Sequence, residues 1–171
     1  LDEQWALQVG VYEQNPSNLD TNNGFKLSGS GTRGALVPVE VIWTPSLGKA
    51  ALPGEYRLGY YHSSASANDV YDDVNGAPQV LTGQAPRSHS SKHGAWIMAQ
   101  QQITTHAGDA SRGLSLFASV TVHDKATSGI ESFQNIGAVY KGPFDARPRD
   151  DIGLGIARLK VNDAVTRRQR L

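Results

Sequence analysis

Between Arg112 and Asp124 the chain reads RGLSLFASVTVHD, and polarity alternates there with a period of two. Leu114, Leu116, Ala118, Val120 and Val122 share one parity, while Gly113, Ser115, Phe117, Ser119, Thr121 and His123 share the other. That period belongs to a β-strand with one apolar and one polar face. The same pattern predicts seven strands: Trp5–Tyr12, Gly34–Trp43, Glu55–Ser63, His93–Thr104, Gly113–His123, Ser132–Lys141 and Ile152–Val161. Several exceed the usual soluble strand of about 5–6 residues and approach the roughly 9–11 that a tilted strand needs to cross a bilayer. The segments between them, such as NPSNLDTNNG, TPSLGKAALPG, SANDVYDDVNGAP, HAGDAS and KGPFDARPRD, are rich in turn formers and predict loops without helices. Pro38 falls inside the second strand and removes a ladder donor, so a bulge is expected there.

Alternation alone does not say which face is inside. In a soluble sheet the leucines and valines form a core; in a membrane barrel they face lipid and the serines line water. Three features favour lipid. The polar faces carry Ser, Thr, Gly, Gln and Asn with little charge. Trp5, Trp43, Tyr56 and Tyr140, all of the apolar parity, fall at one end of the strands, as an interfacial aromatic girdle does. Connectors after the first and third strands (Glu13–Arg33 and Ser64–Lys92) are long, and those after the second, fourth and sixth are shorter. The DKATSG connection is short and breaks this rhythm. Seven strands would leave open edges, which lipid does not tolerate, so the membrane reading requires a longer protein. The abrupt start at LDEQWALQVG and the tail AVTRRQRL, which predicts no closing element, agree with an internal piece.

Composition narrows the chemistry. The 171 residues fit one domain, and 18 glycines with 8 prolines favour turns and strands over helices. Sixteen basic against 16 acidic residues give no basic surface for nucleic acid. The chain has no cysteine, which excludes disulfides, thiolate metal sites and thiol catalysis. No apolar run of about 18 residues exists, so no transmembrane helix is expected. His89 and His93 lack an acidic third ligand, and Asp69, Asp72, Asp73 and Asn75 do not fit an EF-hand loop. GSGTRG lacks the Gly-Lys-Ser/Thr ending of a phosphate loop, and no Ser sits in a G-x-S-x-G elbow. The expectation is a non-enzyme without metal or cofactor.

LPGEYRLGYYHSSA, KHGAWIMAQQQI, RGLSLFASVTVHD, ALVPVEVIWTP and FQNIGAVYKGPFDARPRDDIGLGIARLKVN, spread in order over nearly the whole chain, resemble the OprB-type carbohydrate-selective porins of Gram-negative outer membranes. The resemblance implies an all-β fold, a roughly 16-stranded antiparallel transmembrane β-barrel of the porin type, of which this chain supplies about seven strands. Residues 1–171 are then a single porin barrel domain, incomplete because the N-terminal half and the closing strands are absent. It further implies passive diffusion of sugars, a homotrimer, and contact with outer-membrane lipid and lipopolysaccharide.

A sugar channel needs a wet wall with hydrogen-bonding groups and aromatic platforms. Parity selects Glu40, Glu55, Arg57, Tyr61, Trp96, Gln100, Gln102, Phe117, His123, Asn135 and Lys141 as lining candidates. Glu55 with Arg57 and Tyr61 carries the wall chemistry in this reading, and Trp96 offers a stacking surface. Arg158 and Lys160 fall on the lipid parity at the outward end of the last strand, which leaves two readings: contact with lipopolysaccharide phosphates, or a slip of register in that strand. The alternative is a soluble β-sandwich that binds carbohydrate; an outer-membrane enzyme finds no paired nucleophile and base.

Overall fold

The computed structural model of the chain describes residues 3–15 and 31–171. Most strands join one antiparallel sheet. Its long members are β1 (Trp5–Val9), β3 (Ala35–Trp43), β5 (Leu52–Ser63), β8 (Lys92–Gln102), β9 (Gly113–His123), β10 (Ile130–Lys141) and β11 (Asp151–Val161), each hydrogen-bonded to the next. Two short strands, β2 (Tyr12–Glu13) and β4 (Ser46–Leu47), extend the ladder against β3 and β5. All seven predicted strands are present. The third starts three residues earlier than expected, because β4 closes a tight hairpin against Leu52 and Pro53.

Partners across an antiparallel ladder share a face, so the register fixes which side chains lie together. One row runs Trp43, Tyr56, Ala99, Ala118, Ile136, Ile156. The next row on that face begins Leu7, Val41, Leu58, Ile97, Val120 and then turns polar at Gln134 and Arg158. None of the described residues covers these apolar side chains. Leu154 is 82% exposed, Ile156 72%, Leu58 62% and Ile136 60%, whereas Leu52 and Ala65 alone form the buried apolar core among the described residues. A soluble sandwich would bury those rows against a second sheet. The apolar face is therefore built for lipid. At one rim Trp5 stacks on Trp43 with centroids 5.6 Å apart, and Trp43 meets Tyr56 at 5.2 Å.

Three expectations need correction. Pro38 makes no bulge. β3 pairs with β5 without interruption, and on the other side Gly10 N–H donates to the Pro38 carbonyl at 3.1 Å. Proline cannot return that bond, so the ladder to the first strand is interrupted after Val9 and resumes in the same register at Tyr12 opposite Leu36. The long connector Ser64–Lys92, which contains SANDVYDDVNGAP, is ordered rather than a plain loop. It forms β6 (Ala67–Asp73), the single helical turn α1 (Gln79–Thr82) and β7 (Pro86–His89), which pairs with β6. The tail is the third: α2 (Asp163–Gln169) follows β11 at once, capped by Asn162 Oδ1 accepting from Ala164 N–H at 2.9 Å. Seven residues are too few to show helical periodicity, although Asp163 at its start and Arg167 and Arg168 at its end suit the helix dipole.

The long connection and α2 pack together at one rim: Arg168 donates to the Val70 carbonyl, the Arg167 guanidinium lies 4.8 Å from the Tyr71 ring centroid, and Val70 N–H donates to Ala126. The opposite rim carries the turns between β8 and β9 and between β10 and β11. There His106 bridges Tyr140 (3.0 Å) and Asp145 (3.1 Å), and Arg112 donates to the Gly142 carbonyl and to Asp145.

Candidate pore wall

The face opposite the apolar rows carries the charge. Arg57 on β5 sits between two carboxylates, donating from Nη1 to Glu40 at 2.9 Å and from Nε to Glu55 at 2.8 Å. Trp96 on β8 reaches across β5, and its indole Nε1–H donates to the second Glu40 oxygen at 2.6 Å. Four expected residues thus form one connected cluster spanning three strands. Glu40 is its hub, with a side chain only 13% exposed. Burial of a carboxylate demands such partners, and both of its oxygens have one.

Glycines shape this face. A Cβ placed on Gly59 would overlap the Trp96 ring, on Gly94 the Tyr61 ring, and on Gly137 the Phe117 ring. Each glycine is the direct ladder partner of its aromatic; Gly94 also pairs with His123. The rings therefore lie down on this face of the sheet instead of standing away from it. Tyr61 keeps its hydroxyl within 2.9 Å of His123 Nδ1, which unites two more expected residues near the other rim.

Other candidates fall differently. Gln100 and Phe117 are successive ladder partners of Glu55 and border the cluster. Asn135 is two strands away from Met98 in the row that starts at Arg57, and Lys141 is at the turn rim opposite Asp151. Gln102 is engaged elsewhere: its Nε2 donates to the carbonyls of Thr104, Ala110 and Arg112 and holds the turn. His89 is paired with Asp69 at 2.8 Å, Asp69 and Asp73 accept from backbone amides, and Asp72 pairs with Arg87 at 3.7 Å. Lys160 is held by Glu131 at 2.9 Å and Asp163 at 3.3 Å, while Arg158 stands on the outward face opposite Gln134. Two residues escaped the sequence reading. Gln8 pairs with Glu40, and Tyr12 folds back over Gly10 on the same face. The parity of Ala6, Gln8, Gly10 and Tyr12 was the available signal.

The sequence pattern of the carbohydrate-selective porin, OprB family matches residues 1–171. Porin B of Pseudomonas aeruginosa is 70% identical over 167 residues, which cover 98% of this chain and 37% of that protein. A high-pH structure of Pseudomonas putida OprB superposes with a TM-score of 0.93 at 64% identity, covering 98% of this chain and 40% of that one. The chain thus spans less than half the length of either relative.

Proposed function

Because the chain belongs to the carbohydrate-selective porin, OprB family, we propose that it is part of the wall of a passive sugar channel in a Gram-negative outer membrane. The observation that carries this reading is one sheet with a dry face and a wet face and almost no core between them. In the full-length protein further strands pair with the edges at β1 and β11 and close a barrel of about 16 strands. The apolar rows then meet acyl chains, with the Trp5–Trp43–Tyr56 stack at one interface.

The wet face needs no catalyst. Sugar hydroxyls exchange water for side-chain partners that are individually weak and repeated along the path. Glu40, Glu55, Arg57, Trp96 and Gln100 supply the middle of that path, Tyr61 and His123 one end, and Lys141 the other. Phe117 and Asn135 line the neighbouring strands, and Gln102 supports the turn behind them. The protein assembles as a homotrimer in this reading, and Arg158, on the lipid face and opposite Gln134, meets lipopolysaccharide phosphate. The test is swelling of liposomes that contain the full-length protein. Sugar-driven swelling above that of empty liposomes is expected, and its absence overturns the channel.

A further inference from the structure

The wet face holds a depression of about 150 Å³ beside the Arg57 cluster, bounded by Gln8, Gly10, Tyr12, Pro38, Glu40 and Trp96. Its geometry follows from the interruption of the ladder described above. Pro38 breaks the ladder to the first strand, and Tyr12 folds its ring back over Gly10 at that break. From the other side Trp96 lies down on Gly59 and extends to Glu40 on β3. Two aromatic rings thus flank a floor made of Pro38 and Glu40.

Resting on the reading of this face as a sugar-channel wall, we propose that the depression is a binding subsite for one pyranose ring. The size fits: about five waters' worth of space at roughly 30 Å³ each, far below the roughly 300–1,000 Å³ of pockets for larger ligands. The chemistry fits as well. The C–H faces of a pyranose are weakly apolar and suit the flat sides of Tyr12 and Trp96. Its hydroxyls need both donors and acceptors. Each Glu40 oxygen accepts one bond, from Arg57 or from Trp96, and has a further lone pair to offer. The Gln8 carboxamide, directly opposite Glu40 in the ladder, adds both donors and an acceptor. Glu40 acts as a positioning residue besides, since it anchors the indole and the guanidinium at once.

The test uses the full-length protein in proteoliposomes with D-glucose as the probe, reading the half-saturating concentration separately from the maximal rate. Trp96→Ala is expected to raise the half-saturating concentration about tenfold, and Gln8→Ala about threefold, with smaller changes in maximal rate. Leu58→Ala, on the lipid face, is the control and should leave both unchanged. Folding is checked by heat-modifiable migration on gels. If Trp96→Ala does not fold, Gln8→Ala decides the matter alone. An unchanged half-saturating concentration in Gln8→Ala, with wild-type uptake intact, overturns the subsite and leaves the channel standing. No glucose uptake by the wild type overturns the channel reading, and the subsite with it.

Discussion

Trp96 lies flat on Gly59, the residue directly opposite it in the β5–β8 ladder. The missing side chain on one strand is the seat for the ring on the next, and the ring in turn covers backbone that would otherwise be open. The seat also sets the reach of the indole, which arrives at Glu40 two strands from its own. Gly59→Ala is expected to lift the indole, break its bond to Glu40 and cost about 1–3 kcal/mol of stability. Denaturant unfolding in detergent, together with a red shift of tryptophan emission, would report this. Gly153→Ala is the comparison, because its Cβ would meet Val139 Cγ2 at 3.5 Å and the Ala138 carbonyl oxygen at 3.7 Å, both ordinary contacts. That variant should stay within about 0.5 kcal/mol of wild type. Equal losses in the two would refute the seating argument.

Arg57 sets a single positive charge against the two carboxylates of Glu40 and Glu55, so its removal makes an already negative patch of the wall more negative. Arg57→Gln leaves Glu40 and Glu55 without their cation, and the lumen should prefer cations over anions more strongly. Zero-current potentials across a planar bilayer under a KCl gradient measure the preference. The shift should shrink at high salt, since the screening length falls from about 10 Å at 0.1 M to about 3 Å at 1 M. A shift toward anions contradicts the placement of Arg57 on the wet face.

Period-two alternation was enough to locate the seven main strands of the large sheet and to sort their side chains into two sets, because one residue of slippage would exchange the two faces wholesale. That Glu40, Arg57 and Trp96 share the polar face was legible for the same reason. Their mutual contacts were not, since Glu40 and Trp96 are 56 positions apart and meet only through the register of three strands. Pro38 was legible as a disturbance but not as its outcome: the ladder gap depends on Gly10 being its partner. The β6–β7 pair was hidden by its acids. Asp69 and Asp73 look like loop residues, yet their carboxylates accept from backbone amides and so build the turns that hold the segment.

Two adjacent residues on β9 offer a direct test of the two faces. Val120 shares a row with Leu58 and Ile97, and Ser119 shares one with Met98 and Asn135. Val120→Arg places a charge on the lipid face and is expected to cost about 2–4 kcal/mol if it lies near the bilayer midplane, less toward an interface. Ser119→Arg projects into water and should cost little. Folding yields into lipid vesicles at graded urea compare the two. Equal tolerance would reject a lipid-facing assignment for the apolar rows.

The β6–β7 segment should loosen in acid before the sheet does. Burial pushes the Asp69 carboxyl up, but the amides of Asp72 and Tyr71 and the His89 ring outweigh it and hold the group below its ordinary range. Asp73 is held low by the Thr82 hydroxyl and the Ala77 amide against its burial, with the amides of Asn75 and Gly76 adding to them. Both groups therefore bind protons less readily when folded than when unfolded. Their stabilisation is complete above the ordinary carboxylate value of about 3.9 and is lost as pH falls through the lower folded values. Amide-exchange protection at Tyr71, Asn75 and Ala77 should hold from neutral pH down to about 4 and decline below it. Protection in β8 and β9, whose bonds involve no carboxylate, should not follow. Asp73→Asn keeps the shape but accepts less strongly, so protection at Asn75 and Ala77 should already be reduced at neutral pH and respond less to acid. Loss of protection in the wild type already near pH 6 would point to a different titrating group and overturn this account.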